Sequence, residues 1–226
     1  MPEGLPSEWP VLFDVAAQIL GHAEATIGYP PIWSFGGGTA LMLQIDHRES
    51  HDIDLFLDDP QLLPFLNPET QGIDVARRPD SYSTDGTSVL KLAFQEIGEI
   101  DFICCADILD PSSQPSEVRG LTVQLETPAE IVAKKVYYRG WNFQPRDMFD
   151  LAAVAERCGT DYAVDALAQA GRPACEKALA VVDKATPAFV QSINAQLLVR
   201  ETTRHLIGHA QDISRSLLRQ ALERAI

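Results

Sequence analysis

The 226 residues carry 32 acidic against 18 basic side chains, a formal charge of −14, which excludes a broadly basic surface that would hold nucleic acid non-specifically. The apolar content of 46 % is that of an ordinary globular protein, and no apolar run approaches the roughly 18 to 20 residues a membrane-spanning helix needs. The four cysteines, Cys104, Cys105, Cys158 and Cys175, lack Cys-x-x-Cys spacing and read as buried reduced thiols.

The chain starts "MPEGLPSEWP", with acids and prolines where a secretory signal would carry basic and then apolar residues, so a cytoplasmic location is expected. Residues 11–27 place Val11, Val15, Ile19 and Ala23 at helical spacing and predict an opening amphipathic helix, ended by a Pro-Pro turn. "IWSF" reads as a short strand running into Gly36, Gly37 and Gly38, and "TALMLQIDH" as a helix leaving them. "DIDLFL" is a half-buried strand. "GIDVARR", "TSVLKLAF" after an Asp85-Gly86 turn, and "EIDFICCA" after a turn near Gly98 predict an antiparallel meander. "DPSSQPSEVRG" reads as a loop.

After residue 125 the character changes. Thr127 reads as an N-cap, Pro128 as the first helical residue, and Glu130 stands three residues after the cap. From there the composition is helical, broken at Gly171–Pro173 and Thr186–Pro187. The fold class is therefore α+β, with a mixed or antiparallel sheet and flanking helices in residues 1–125 and a helical domain over 126–226.

Residues two apart on a strand share a face, so Asp52 and Asp54 would present their carboxylates together while Ile53 and Leu55 anchor the other face. Such a pair suits Mg²⁺ or Mn²⁺, hard cations that take protein carboxylates together with phosphate oxygens. Asp101, between Ile100 and Phe102, is the candidate third carboxylate of a two-metal site, with Glu99 the alternative. Taken alone, the Asp-x-Asp pair equally describes a solvent-facing strand. A Gly turn between strand and helix adds a phosphate cradle, because backbone N–H groups approach without Cβ interference and the helix N-terminus favours an anion. The P-loop and dinucleotide patterns are both absent.

The spacing from Gly37 and Gly38 to "DIDLF", thirteen residues intervening before Asp52, resembles the signature of the DNA polymerase β nucleotidyltransferase superfamily. "GGTALMLQIDHRESHDIDLF", with Arg48 and Ser50 just before the acids, together with "TPAEIVAKKVYYRGWNFQPRDMFDLAAV", resembles the AbiEii/AbiGii-like nucleotidyltransferases, toxins of type IV toxin–antitoxin systems. The resemblance implies an enzyme that transfers NMP from an NTP to an acceptor hydroxyl with Mg²⁺ or Mn²⁺. It implies Asp52, Asp54 and Asp101 as metal-binding residues, and Gly37, Gly38, Thr39, Arg48, Ser50, Lys135 and Arg139 around the NTP. The family's essential Lys and Asp map onto Lys135 and Asp147, with Lys134 and Asp150 as neighbouring alternatives, so the helical domain is expected to complete the active site. Read without the resemblance, a Lys on one helix and an Asp on the next form an interhelical salt bridge.

RNA, and tRNA within it, is the acceptor the resemblance suggests, and a cognate antitoxin the partner. The charge of −14 fits a small-molecule alcohol better, as in aminoglycoside-modifying relatives. A non-catalytic nucleotide-binding module is the third reading, against which intact Asp52, Asp54 and Lys135 weigh. Arg77, Arg78 and the five arginines of residues 200–226 (Arg200, Arg204, Arg215, Arg219, Arg224) are the places where RNA would dock. His47 and His51 lack zinc-site spacing and read as surface or supporting residues.

Overall fold

The computed structural model describes residues 7–225, so the first six residues of the chain start, and Ile226, lie outside it. The chain divides into two compact units. The first comprises residues up to 40, 50–106 and 113–126; the second comprises 41–49, 107–112 and 127 onward. Two short segments from the N-terminal half thus group with the helices.

The first unit holds one seven-stranded mixed sheet. Its strands are β1 (Trp33–Gly36), β2 (Ile53–Leu57), β3 (Ser81–Thr84), β4 (Val89–Phe94), β5 (Gly98–Cys104), β6 (Ser113–Val118) and β7 (Leu121–Glu126). Their order across the sheet is β3-β4-β5-β2-β1-β7-β6. β4 and β5 pair antiparallel as expected, with β3 rather than "GIDVARR" as the third strand of the meander, whereas β2 runs parallel to β5 and β1 parallel to β7. Alternation sets the faces: Ile53, Leu55 and Leu57 of β2, Leu90, Leu92 and Phe94 of β4, and Ile100 and Phe102 of β5 are buried. Helix α1 (Trp9–Ile27) packs against β2 and β5 through Leu12, Val15, Ile19 and Ala23, and the Phe13 and Phe35 rings lie 5.3 Å apart. Val11 is off this stripe and exposed, because steps of four residues overshoot the helical repeat by about 40° each.

Two local expectations are corrected. "GIDVARR" forms no strand. Asn67 caps the short helix α3 (Pro68–Gln71), and Gly72 ends it at φ 64°. The next donors are then taken outside any strand ladder, Ile73 N–H donating to Pro68 O and Ala76 N–H to the Gln18 side chain of α1. The segment read as a loop contains strand β6, paired to β7 through a turn at Arg119 and Gly120, both at positive φ. Pro115 is tolerated because β6 is an edge strand.

The second unit is helical. It contains α4 (Pro128–Arg139), α5 (Pro145–Cys158), α6 (Thr160–Ala170), α7 (Arg172–Lys184), α8 (Pro187–Asn194), α9 (Ala210–Arg224) and the later turns of α2 (Gly37–Ile45). Thr127 caps α4, its hydroxyl accepting from Glu130 N–H at 3.1 Å. The Glu130 carboxylate accepts instead from Ile108 and Leu109 N–H at 3.0 and 2.9 Å, which fastens residues 107–112 to this unit. Segment 41–49 is fastened by a bridge between Arg48 and Val199 and by Glu49 N–H donating to Leu198 O. The predicted breaks fall at Gly171, φ 90°, and at Thr186, which caps α8; Gly140–Asn142, Gly159 and the stretch 195–209 interrupt the helices further. Of the cysteines only Cys175 is buried, Cys104 and Cys105 are partly exposed and Cys158 is exposed, and none is in a disulfide. Among the described residues no helix is long and apolar enough to cross a membrane.

Candidate active site

In the first unit the acidic residues collect on the sheet face opposite the buried Ile53–Leu55–Leu57 row. Asp54 pairs in register with Asp101 across the parallel strands β2 and β5. Asp52 precedes β2 by one residue, and its Oδ1 accepts from Glu99 N–H at 3.0 Å, so that carboxylate is oriented by the neighbouring backbone. Gly98, at φ 133°, makes room for this, since a Cβ there would stand 3.1 Å from Asp52 Oδ1. Glu99 and Asp101 share one cation, Lys91 of β4. Its Nζ pairs with Glu99 and lies 3.3 Å from Asp101 Oδ2. Sequence reading passed over Lys91, although the alternation of "TSVLKLAF" puts it on the face opposite Leu90 and Leu92.

Asp101 is the electrostatically exposed point of this group. Among the described residues its Oδ1 is buried without a hydrogen-bond partner. Burial, then the Asp54 charge, push its carboxyl up to about 6, against the pull of Lys91. A divalent cation would relieve both the orphaned oxygen and the repulsion, so the donor set fits Mg²⁺ or Mn²⁺.

The glycines are placed by contact with these acids. Gly36 ends β1, and a Cβ there would overlap Glu126 Oε2 and the Phe56 ring. Gly37 opens α2 at φ 69°, and a Cβ there would overlap Asp54 Oδ2, so its backbone lies directly against that carboxylate. Gly38 follows in the first helical turn. Thr39 is fully buried and its hydroxyl donates to Asp52 O, tying the start of α2 to the acidic segment. Ser50 is buried, and its carbonyl accepts from the Ser7 hydroxyl.

The remaining predicted residues form a buried cluster in the second unit. Asp150, fully buried, is its hub: Arg48 Nε and Nη2 donate to its two oxygens at 2.7 and 2.9 Å, His47 Nε2 lies 2.9 Å from Oδ1, and Lys135 pairs with Oδ2. Lys135 Nζ also stands 3.3 Å from Asp147 Oδ1. Asp147 is at the third position of α5, where it accepts from Gln144 N–H in a capping box and pairs with Arg139. The interhelical salt bridge between α4 and α5 is thus present, with Asp150 as well as Asp147 in it. Lys134 is engaged elsewhere, with Asp107 at 3.1 Å and Glu130 at 3.5 Å.

Burial pushes Asp150 up, but Arg48, Lys135 and the bond from His47 outweigh it and hold the carboxyl well below the usual range. Burial, reinforced by Arg48 and Lys135, lowers His47 despite Asp150, so its ring favours the neutral form. With His47 neutral, Arg48, Lys135 and Arg139 face two carboxylates, which leaves one positive charge in excess. His47 is fully buried against Phe149 rather than at the surface.

The five C-terminal arginines are locally neutralised. Arg200 pairs with Asp46 and Glu49, Arg204 with Glu201, Arg215 with Asp183 and Asp212, Arg219 with Asp183, and Arg224 with Asp161 and Asp165. Arg77 and Arg78 are exposed on the irregular segment after α3.

A glycine turn at the head of a helix, pressed against an Asp-Ile-Asp strand that is paired in parallel with a third aspartate, is the frame of a nucleotidyltransferase. The chain belongs to the AbiEii family, described as the nucleotidyl transferase AbiEii toxin of type IV toxin–antitoxin systems, whose model matches residues 18–224. It is a nucleotidyltransferase enzyme. Among solved structures it is similar in fold to a candidate nucleotidyltransferase from H. pylori, at 14 % identity and TM-score 0.50 over 98 % of this chain and 97 % of that one. It is likewise similar to the nucleotidyltransferase toxin MenT4 of Mycobacterium tuberculosis, at 18 % identity and TM-score 0.50 over 93 % and 87 % of the two chains. No sequence among the curated proteins matches this chain.

Proposed function

We propose that the protein transfers NMP from an NTP to an acceptor hydroxyl, with a divalent cation held by Asp52, Asp54 and Asp101, and that it does so as a toxin acting on RNA. The observation that carries the reading is the Asp54–Asp101 pair, in register beneath Gly37, with one buried oxygen of Asp101 lacking a partner among the described residues. When bound, the ion supplies positive charge at the attacking and leaving oxygens of the α-phosphate. Glu99 N–H orients Asp52. The Gly37 and Gly38 backbone cradles phosphate oxygens at the start of α2, while buried Thr39 acts by holding Asp52 rather than by touching the nucleotide. Asp101 would hold the ion and assist removal of the acceptor proton. Lys135 and Arg139, for which the family resemblance implies contacts to the NTP, carry the excess charge of their own cluster. Arg48 serves by fixing Asp150.

A small-molecule alcohol is the second reading, favoured by the local neutralisation of the C-terminal arginines. The test is incubation with each α-labelled NTP, Mg²⁺ or Mn²⁺ and total cellular RNA, alongside an Asp52→Asn/Asp54→Asn control. Labelled RNA with wild type alone supports the toxin reading. Label confined to a metabolite fraction supports the second, and equal label in both samples removes the metal-site assignment. A cognate antitoxin is expected to abolish growth arrest on co-expression.

A further inference from the structure

The corner between α4 and α5 carries a feature that nucleotide transfer itself does not use. Three aromatic side chains stand in solvent within five residues: Tyr137 is 53 % exposed, Tyr138 41 % and Trp141 69 %. Single exposed rings are ordinary on protein surfaces, but a run of three is not scattered. The Tyr137 and Tyr138 rings meet edge to face with centroids 4.8 Å apart. Trp141 lies just beyond α4, in the single 3-10 turn Gly140–Asn142, four and three residues after them. The backbone behind the rings is held firmly: Gly140 is buried, with space for a Cβ limited by Ala174 O at 3.1 Å, and Gln144 bonds back to Asn142.

Charge separates this corner from the rest of an acidic chain. Residues 131–155 hold four basic residues, Lys134, Lys135, Arg139 and Arg146, and two acids, Asp147 and Asp150. Both acids are fully buried. The stretch therefore exposes no carboxylate, while Arg146, in the first turn of α5, is exposed and in no ion pair among the described residues. The C-terminal arginines, by contrast, all face acids. A second exposed apolar cluster, Tyr29 and Ile32 around Pro30 and Pro31, has no charged residue from 28 to 34.

We propose that Tyr137, Tyr138 and Trp141, with the exposed Arg146 that follows them at the start of α5, form a stacking platform for unpaired bases of a single-stranded nucleic acid. Rings offer faces to any base, and an uncompensated guanidinium meets the backbone phosphate, which is how single strands are held without reading their sequence. The platform specifies the acceptor class left open above and rests on the nucleotidyltransferase reading only for its purpose.

The test is fluorescence anisotropy of a labelled, unstructured RNA oligonucleotide with the full chain, together with calorimetric titration of a non-hydrolysable NTP analogue. Trp141→Ala and Tyr137→Ala/Tyr138→Ala are expected to weaken oligonucleotide binding tenfold or more, with melting temperature and NTP affinity unchanged. Trp141→Phe, which keeps a stacking face, is expected to restore most of the affinity. Arg146→Ala should flatten the dependence of log affinity on log salt by about 0.7, the release expected for one single-strand phosphate. Oligonucleotide affinity untouched by the ring substitutions would overturn the platform. So would a wild type that turns over NTP yet binds no oligonucleotide, an outcome that leaves the transferase reading standing with a small-molecule acceptor. Ring-dependent oligonucleotide binding without nucleotide transfer keeps the platform and sinks the transferase reading instead. Self-association lost in the ring variants, with oligonucleotide affinity unchanged, would reassign the rings to an interface between copies.

Discussion

Asp54 and Asp101 stand opposite one another on adjacent parallel strands, and the second of them has a buried oxygen that no donor among the described residues reaches. Burial raises the cost of ionising Asp101, and the Asp54 charge opposite raises it further. The Asp101 carboxyl is pushed from 3.8 to about 6. Because its folded value lies above the unfolded one, the folded state binds the extra proton, and stability falls as pH rises from about 4 to about 6. A shift of this size corresponds to roughly 3 kcal/mol lost above that window. Asp101→Asn is therefore expected to be more stable than wild type at pH 7.5 and no more stable at pH 3.5, while losing nucleotide transfer. Thermal melts across pH check the first part. Added Mg²⁺ should raise the melting temperature of wild type and not of the variant.

Gly37 and Gly28 separate backbone strain from steric displacement. Both have positive φ, 69° and 87°. A Cβ at Gly28 meets nothing within 4 Å, whereas one at Gly37 would overlap the Asp54 carboxylate. Gly28→Ala is expected to cost about 1 kcal/mol of stability with transfer intact. Gly37→Ala must move Asp54 as well, and a loss of 100-fold or more in transfer rate is expected. Comparable activity in the two variants would detach Gly37 from the site.

The acidic face could be read from the chain because strand alternation is local: "DIDLF" and "EIDFI" each announce which side their carboxylates take. Which strands would be neighbours could not. The parallel pairing of β2 with β5 joins residues nearly fifty positions apart, and nothing within either strand encodes it. Pro115 made β6 look like a loop, since proline is refused by central strands, and edge position is a property of the finished sheet. His47 and Arg48 illustrate the same limit. Both bind Asp150, about a hundred residues later, and the local sequence shows only two polar residues before an acidic strand.

Asp150 tests how far the second cluster is structural. Its charge is compensated by Arg48, Lys135 and the His47 ring, all buried or nearly so. Removing it strands two cations in a poorly hydrated interior, a change that typically costs 3 to 5 kcal/mol, about the whole margin of a small domain. Asp150→Ala is expected to express poorly and to unfold at markedly lower urea. Lys135→Met leaves Asp150 with Arg48 and His47, so a smaller loss of stability is expected, with NTP binding weakened by about 1.5 to 3 kcal/mol. Urea titrations and NTP calorimetry on the two variants distinguish a scaffold residue from a ligand-binding one.

Lys91 competes with any cation for the acidic face. Its ammonium pairs with Glu99 and lies 3.3 Å from Asp101 Oδ2, so a metal bound there must work against a charge already in place. Lys91→Met removes that competitor, and Mn²⁺ is expected to bind several-fold more tightly by calorimetry at pH 8. The pH matters to the sign. Lys91 also holds the Asp101 carboxyl down, so without it that group rises further and retains its proton to higher pH. Near pH 6 the two effects oppose each other, and the variant's advantage should shrink or reverse. A variant that binds Mn²⁺ less well even at pH 8 would show that Lys91 positions Glu99 and Asp101 rather than rivalling the metal.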